Sequence, residues 1–315
     1  MSDFASSSML RVLHAGMRKL GLPSPAQQWL EQATVPLDAK QQLVMQVTAQ
    51  RGAAALVQLG QGVHDLQQDS LMPTLIHPGE PGRMLATWLR LERFLHSKHR
   101  IVQTLLRPDG VAHQHISIRE GTAPSAAEDL VVLGVLIALL QRTGCQEVEA
   151  ELSNGLIVWP ISASTAQQEA LRSALLQRQT HSWRLHWGAV QVLPNLQQNP
   201  AQAVNTSALS LSERLQQLAS LLHGDALSLE RAAQQLGQSP RSLQRHLRLE
   251  GVRYVDVMAT VRARRASQML SQTSPSLAEI GFACGYTDQA HFCRDFKRRV
   301  GMSPLRYRES SLMGS

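Results

Sequence analysis

The chain is poor in cysteine. Its three, Cys145, Cys284 and Cys293, are scattered and form no CxxC pair. That excludes a disulfide framework and a paired-thiol redox motif. Long apolar runs are missing too. The longest, residues 130–140, spans 11 residues between Asp129 and Gln141, where a bilayer needs about 20. The opening MSDFASSSML has an early Asp and no basic stretch ahead of an apolar core, so no signal peptide is expected. There is no GxSxG, no P-loop and no GxGxxG that follows a strand and opens a helix. The marks of a serine hydrolase, a nucleoside triphosphatase and a dinucleotide enzyme are therefore absent. The expectation is a non-enzymatic protein of the reducing cytoplasm, with no cofactor and no membrane partner.

What is present is positive charge, placed unevenly. Of 315 residues, those from Leu211 onward hold 15 Arg/Lys and 9 Asp/Glu, whereas the first 210 hold 16 and 15. Nearly all of the net +7 lies in the last third, which favours a polyanionic partner there. The length suggests about two domains. The stretch 194-PNLQQNPAQAVNTSALS-210 lacks apolar periodicity and reads as a linker. The expected division is residues 1–195, a linker at 196–210, and residues 211–315.

The first part reads as α+β. Helical patterns cover residues 4–20, 25–33, 38–57 and 83–96. Two β-prone runs follow within residues 101–118, around Pro108-Asp109-Gly110, a hairpin signal with turn chemistry at its centre. A buried helix is expected at 125–143. Strands are expected at 147–152, 156–159 and 182–192, with a helix at 165–179.

The last part reads as all-α, with stop signals at Gly224, Gly237, Gly251, Pro275, Gly285 and Gly301. Ser228 is suited to cap a helix over 229–236, and Gly237 to end it. Ser239 caps again, with Pro240 in the first helical position, where its missing N–H costs nothing. Two short helices around a Gly turn make a helix-turn-helix unit. On the second of them, Leu243 and Leu247 face inward. Arg241, Gln244, Arg245 and Arg248 follow at i, i+3, i+4, i+7 and share another face. Arg and Gln bind guanine and adenine edges bidentately, and a major groove admits one helix. The plainer reading of that face is an ordinary solvated basic surface.

The pattern then recurs. Ser228-Leu229 and Gly237 match Ser276-Leu277 and Gly285 at an offset of 48, and Gly251 matches Gly301 at 50. Residues 276–304 therefore read as a second helix-turn-helix, with Thr287 capping its second helix and Phe292, Phe296 and Val300 as the buried stripe. Residues 254–272 form an amphipathic run between the two units, expected as a long joining helix.

At these residues the C-terminal region resembles the DNA-binding domain of AraC/XylS-type transcription regulators. The resemblance covers residues 211–308. It is carried by SLERAAQQLGQSPRSLQRHLRLEG, by RARRASQMLSQTSPSLAEIGFACGY and by DQAHFCRDFKRRVGMSPLRYR. It implies two recognition helices entering successive major grooves of promoter DNA. Arg241, Gln244 and Arg245 would face base edges in the first, and Gln289, Ala290, Cys293 and Arg294 in the second. Backbone N–H groups near Ser239 and Thr287 would sit on phosphates. Arg248, His291 and Lys297 complete the expected DNA-binding set. The second helix presents Ala290 and Cys293 where the first presents Arg241 and Gln244, so the first unit is expected to carry most of the discrimination. The resemblance also implies activation, RNA polymerase as a partner, a homodimer, and a cytoplasmic, nucleoid-associated location.

Residues 10–192 resemble the arabinose-binding-type N-terminal domain of a regulator subgroup that includes ornithine-utilisation regulators. That likeness implies effector sensing or dimerisation, and a ligand-free interaction module is the alternative. Candidate chemistry here is sparse. His113 and His115 would share one strand face and could bind a metal, or simply be two polar residues on a sheet. His96 and His99 lie near a helix end, where complementing its C-terminal charge is the simpler account. Trp159, Trp183 and Trp187 read as core or as a pocket lining. The cysteines read as packed thiols. The effector, its pocket, the target promoters and the dimer geometry are not encoded in any legible motif.

Overall fold

A computed structural model describes residues 4–23, 34–66, 71–95, 99–117, 123–162, 164–191, 209–221, 227–272 and 275–313. The expected helix at 25–33 and most of the linker lie outside them, as do Gly224 and His96. The chain divides into two compact units, Met1–Leu193 and Pro194–Ser315.

The first unit is α+β. It opens with β1 (Phe4–Ser6) and α1 (Ser7–Lys19), then β2 (Thr34–Pro36), α2 (Leu37–Arg51) and α3 (Ala54–Gly60). After α4 (Met72–Leu75) and α5 (Pro81–Leu95) comes the hairpin, β3 (His99–Arg107) and β4 (Gly110–Ser117). There follow α6 (Ala126–Thr143), β5 (Glu149–Leu152), β6 (Ile157–Trp159), α7 (Thr165–Leu176) and β7 (Ser182–His186). The larger sheet is antiparallel, in the order β3-β4-β7-β5-β6. The second sheet pairs β1 with β2.

Helix α6 is apolar on every side from Leu130 to Leu140, and every residue in that run is buried, as a helix hydrophobic all round must be. Ser125 caps it: its Oγ accepts from Glu128 N, while Glu128 reaches back to Ser125 N. Helices α3 and α6 cross at two glycines. A Cβ on Gly134 would lie 2.0 Å from Val57 O, and one on Gly60 2.2 Å from Val135 N. The two backbones touch there, and no side chain fits between them.

Several sequence-based expectations change. The pattern over 4–20 is a short strand followed by a helix, because Phe4–Ser6 pairs with Thr34–Pro36. The pattern over 38–57 is two helices. Gly52 adopts φ +78° and donates to Thr48 O, which ends α2. The strand expected at 182–192 stops at His186, because Trp187 N turns to Asp109 O; beyond it an isolated bridge joins Val190 to Cys145. Strand β5 starts at Glu149, since Glu147 sits at φ +51°. Helix α7 ends at Leu176, short of residue 179.

The second unit is helical throughout its described residues: α8 (Leu211–Leu221), α9 (Leu229–Gln235), α10 (Pro240–Leu249), α11 (Tyr254–Gln272), α12 (Leu277–Ala283), α13 (Gln289–Val300) and α14 (Pro304–Met313). Two hydrophobic clusters hold it. One gathers Leu215, Leu218, Ala232, Leu243, Leu247 and Val257. The other gathers Ala266, Leu270, Ile280, Tyr286, Phe292 and Phe296. Helix α11 contributes to both.

Candidate nucleic-acid interface

Helix α10 is placed by local chemistry. Ser228 Oγ accepts from Arg231 N to start α9, and Gly237 takes φ +66° after its end. Ser239 Oγ then accepts from Ser242 N, with Pro240 in the first turn of α10. Leu243 and Leu247 are fully buried. The opposite side carries Arg241, Gln244, Arg245 and Arg248, all exposed. The side chains of Arg241, Gln244 and Arg248 make no hydrogen bond or ion pair among the described residues. Leu249 is exposed beside them, an apolar group the spacing did not single out. The structure therefore assembles all four predicted residues of the first helix on one open face.

Arg245 has a neighbour that sequence reasoning missed. Gln238 Oε1 lies 3.1 Å from His246 Nδ1, and His246 Nε2 lies 3.4 Å from Arg245 Nη2. Glu250, just past α10, was missed as well. Its two oxygens accept Leu211 N at 2.8 Å and Ser212 N at 3.0 Å, capping α8. Burial pushes the Glu250 carboxyl up, but the hydrogen bonds from Ser212 and Leu211 outweigh it and hold it below the usual range. The signal for such a contact is an acid 39 residues away in sequence, and no local pattern reports it.

Helix α13 repeats the geometry with different chemistry. Ser276 and Glu279 cap α12 reciprocally. The cap of α13 is Asp288, not Thr287: Asp288 Oδ1 accepts His291 N at 2.6 Å. Thr287 sits one residue too early, and its Oγ1 meets the His291 ring instead, 2.8 Å from Nδ1. His291 is thereby held against Tyr286, ring centroids 5.3 Å apart and nearly perpendicular. An aromatic ladder follows, Tyr286–Phe292–Phe296–Tyr307, with successive centroids 5.1 to 5.6 Å apart.

The outward side of α13 exposes Thr287, Gln289, Ala290, Arg294 and Lys297, with Cys293 half-buried. The side chains of Arg294 and Lys297 make no hydrogen bond or ion pair among the described residues. Arg298 and Arg299 are engaged differently. Both reach back to the buried Asp295, at 2.5 Å and 3.2 Å. Burial pushes the Asp295 carboxyl up, but the two guanidiniums outweigh it and hold it below the ordinary range. Arg262 stacks 5.5 Å above Tyr286.

Several buried polar groups of the first unit are paired across its core. Lys40 Nζ donates to Glu128 Oε1 at 2.9 Å. His115 Nδ1 lies 2.8 Å from Asp129 Oδ1, whose other oxygen accepts from Thr180. Burial pushes Glu128 up, but Lys40 and Ser125 bring it down to about 2. His99, expected near a helix end, opens β3 and packs edge-on against His115. His113 and His115 do share the inner sheet face, beside Trp183. Among the described residues, no three His, Cys, Asp or Glu side chains group to hold a metal ion. Trp183 and Trp187 are core residues; Trp187 Nε1 donates to Pro108 O across the hairpin turn. Burial pushes the thiols up, Cys145 to about 11 and Cys284 to about 12. Among the described residues no helix is long and apolar enough to cross a membrane.

A family model described as a helix-turn-helix domain matches residues 232–310. Over 100 residues the chain is 40% identical to the ornithine utilization regulator of Pseudomonas aeruginosa, covering 32% of this chain and 30% of that protein. Over 83 residues it is 35% identical to the urease operon transcriptional activator of Escherichia coli, covering 26% and 28%. A solved transcriptional regulator of Chromobacterium violaceum, described as having an AraC-type DNA-binding domain, aligns over 32% of this chain and 91% of its own, at 27% identity and a TM-score of 0.31. The chain thus spans less than a third of the length of these two curated relatives.

Proposed function

From the premise that the C-terminal region carries an AraC-type helix-turn-helix domain, we propose that the chain is a sequence-specific, DNA-binding transcription regulator, acting as an activator. Helices α9 and α10 form one reader, and α12 and α13 the other. Helix α11 is the strut between them. Its 19 residues measure about 28 Å at 1.5 Å per residue, near the roughly 34 Å between successive major-groove turns on one side of a duplex. The N-terminal unit senses a small effector, forms the dimer, or both, and RNA polymerase is the further partner at the promoter.

The observation that carries this reading is the face of α10. Arg241, Gln244, Arg245 and Arg248 are exposed together on the side opposite two fully buried leucines. Forked donors on one open helix side suit base edges in a major groove. The second reader is poorer in such donors. Ala290 and Cys293 stand where the first has Arg241 and Gln244, and Arg298 and Arg299 are turned onto Asp295. Discrimination therefore rests mainly on the first reader, while Arg294 and Lys297 supply attraction to phosphates.

The test is selection of genomic fragments by the full-length protein at near-physiological salt, followed by sequencing. The expected motif is asymmetric, spans about two helical turns, and is sharper in one half. Equal information in both halves would remove the assignment of unequal readers. Binding without sequence preference, by the full chain and by residues 205–315 alone, would remove the regulator reading.

A further inference from the structure

The outer face of the large sheet, turned away from the buried helices, carries a small trough that the DNA-binding reading leaves unused. Its shape follows from strand register. On β4 the outward positions are Gly110 and Ala112, which offer one hydrogen and one methyl. Arg107 pairs with Gly110 and Leu105 with Ala112 on one side. On the other, Gly110 pairs with His186 and Ala112 with Arg184. Two large side chains from β3 and two from β7 thus flank a strand that has almost none. Adjacent strands lie about 4.8 Å apart, so the walls stand about 10 Å apart. The trough, open to solvent on one side, has a volume of about 270 Å³.

The small floor is also a requirement of the packing. A Cβ on Gly110 would come within 2.9 Å of His186 Nδ1, so the imidazole leans over the floor. Arg184 gives one nitrogen to Glu151 at 3.2 Å, and its guanidinium keeps further N–H donors. Arg107 is exposed and makes no ion pair among the described residues. Leu105, also exposed, gives the same wall an apolar surface.

We propose that this trough binds a small organic carboxylate with a short apolar body, and that this ligand is the effector of the N-terminal unit. The inference rests on the effector-sensing reading above. Arg107 and Arg184 hold the carboxylate from opposite walls, since guanidinium forks match its two oxygens. Leu105 and Ala112 cover the apolar body. The trough is near the lower limit of ligand pockets, which favours a body of six to eight carbons, roughly, over a nucleotide or a peptide. An inorganic anion would leave the apolar wall unused.

The experiment is calorimetric titration of the full chain with sodium benzoate and sodium hexanoate, with benzamide and inorganic phosphate as controls. Three variants are compared, each checked by thermal melting: Arg107→Gln, Ala112→Leu, which fills the trough but keeps every charge, and Arg172→Gln, on the exposed side of α7. Saturable binding of at least one carboxylate is expected, weakened at least fivefold by Arg107→Gln and by Ala112→Leu and unchanged by Arg172→Gln. Benzamide and phosphate should bind at least tenfold more weakly. Failure of both carboxylates to saturate, equal affinity in Ala112→Leu, or equal binding of phosphate or benzamide overturns the proposal. A filtered small-molecule extract that stabilises wild type and Arg107→Gln alike would retire the trough and leave effector sensing in place. If neither the extract nor either carboxylate stabilises the chain, effector sensing itself fails.

Discussion

The phenol of Tyr286 donates to Oδ2 of Asp295 across 3.2 Å, inside the second unit and away from water. Tyr286 closes the turn before α13, and Asp295 lies two turns into that helix. The same carboxylate takes Arg298 and Arg299. One buried acid therefore ties the turn before α13 to that helix and engages two arginines of its last turn. Replacing Asp295 with Asn should cost about 1–2 kcal/mol of stability, because one set of charge-assisted hydrogen bonds is lost while the arginines remain solvated. It should also steepen the salt dependence of DNA binding by about one to two charges. Binding titrations at several salt concentrations check this. An unchanged slope would mean that the two arginines reach phosphates even with Asp295 present.

Reading and anchoring should separate by residue. Arg245 lies on the crowded face of α10, steadied by His246 and Gln238. Arg245→Ala should cost about 1–3 kcal/mol at the selected site and relax one base position. Lys297 stands on α13 without a partner among the described residues. Lys297→Ala should weaken all sequences alike and flatten the salt slope by about one charge. Competition binding with single-base variants of the selected site distinguishes the two. Identical profiles would undo the division of roles.

Much of the C-terminal unit was legible because its punctuation is local. Ser228, Ser239 and Ser276 cap, Gly237 and Gly301 stop, and the leucine and phenylalanine spacing names the inner face. The cap of α13 was misplaced by one residue because Thr287 and Asp288 are both competent caps, and tertiary contact of the His291 ring decides between them. The roles of Glu250 and Asp295 depend on contacts that no spacing rule reports. In the first unit, β1 and β2 are three residues each and pair across a long separation. Neither has enough residues to show alternation. The trough could not be read either, because Gly-x-Ala on β4 has meaning only once both neighbouring registers are known.

The crossing of α3 and α6 is set by glycine at a level of backbone contact. Gly134→Ala places a methyl about 2 Å from Val57 O, and no rotamer of a neighbour can relieve a clash with backbone. Overpacking of a rigid core costs about 1–3 kcal/mol, and more where nothing can shift. A loss at or above about 3 kcal/mol is expected, confined to the first unit. All five tryptophans lie before residue 193, so their fluorescence during urea unfolding reports that unit alone. A variant as stable as wild type would mean the two helices can separate without penalty.

Two buried groups of the first unit should oppose each other in its pH response, and mutation can expose each. His113 is 1% exposed, and neither ring nitrogen has a hydrogen-bond partner. Burial lowers its pKa to about 4. Between pH 4 and the ordinary 6.5, the unfolded chain holds a proton that the folded chain does not, so His113 makes stability rise with pH there. Glu92 accepts Trp88 Nε1 and Ile101 N in the core. Burial raises its pKa to about 7, against the hydrogen bond from Ile101 and the nearby His115. Between the ordinary 4.5 and 7, the folded chain holds the extra proton, so Glu92 makes stability fall with pH. Each slope is about 1.4 kcal/mol per pH unit, and across their common window, pH 4.5 to 6.5, they cancel. His113→Phe removes the rising contribution: relative to wild type, the variant should gain about 2 kcal/mol more at pH 5 than at pH 6.5. Glu92→Gln should tilt the profile the other way by a similar amount. Urea unfolding followed by tryptophan fluorescence at pH 5, 5.5, 6 and 6.5 measures both tilts. If both variants keep the wild-type profile, then neither buried group changes its proton occupancy on unfolding within this window.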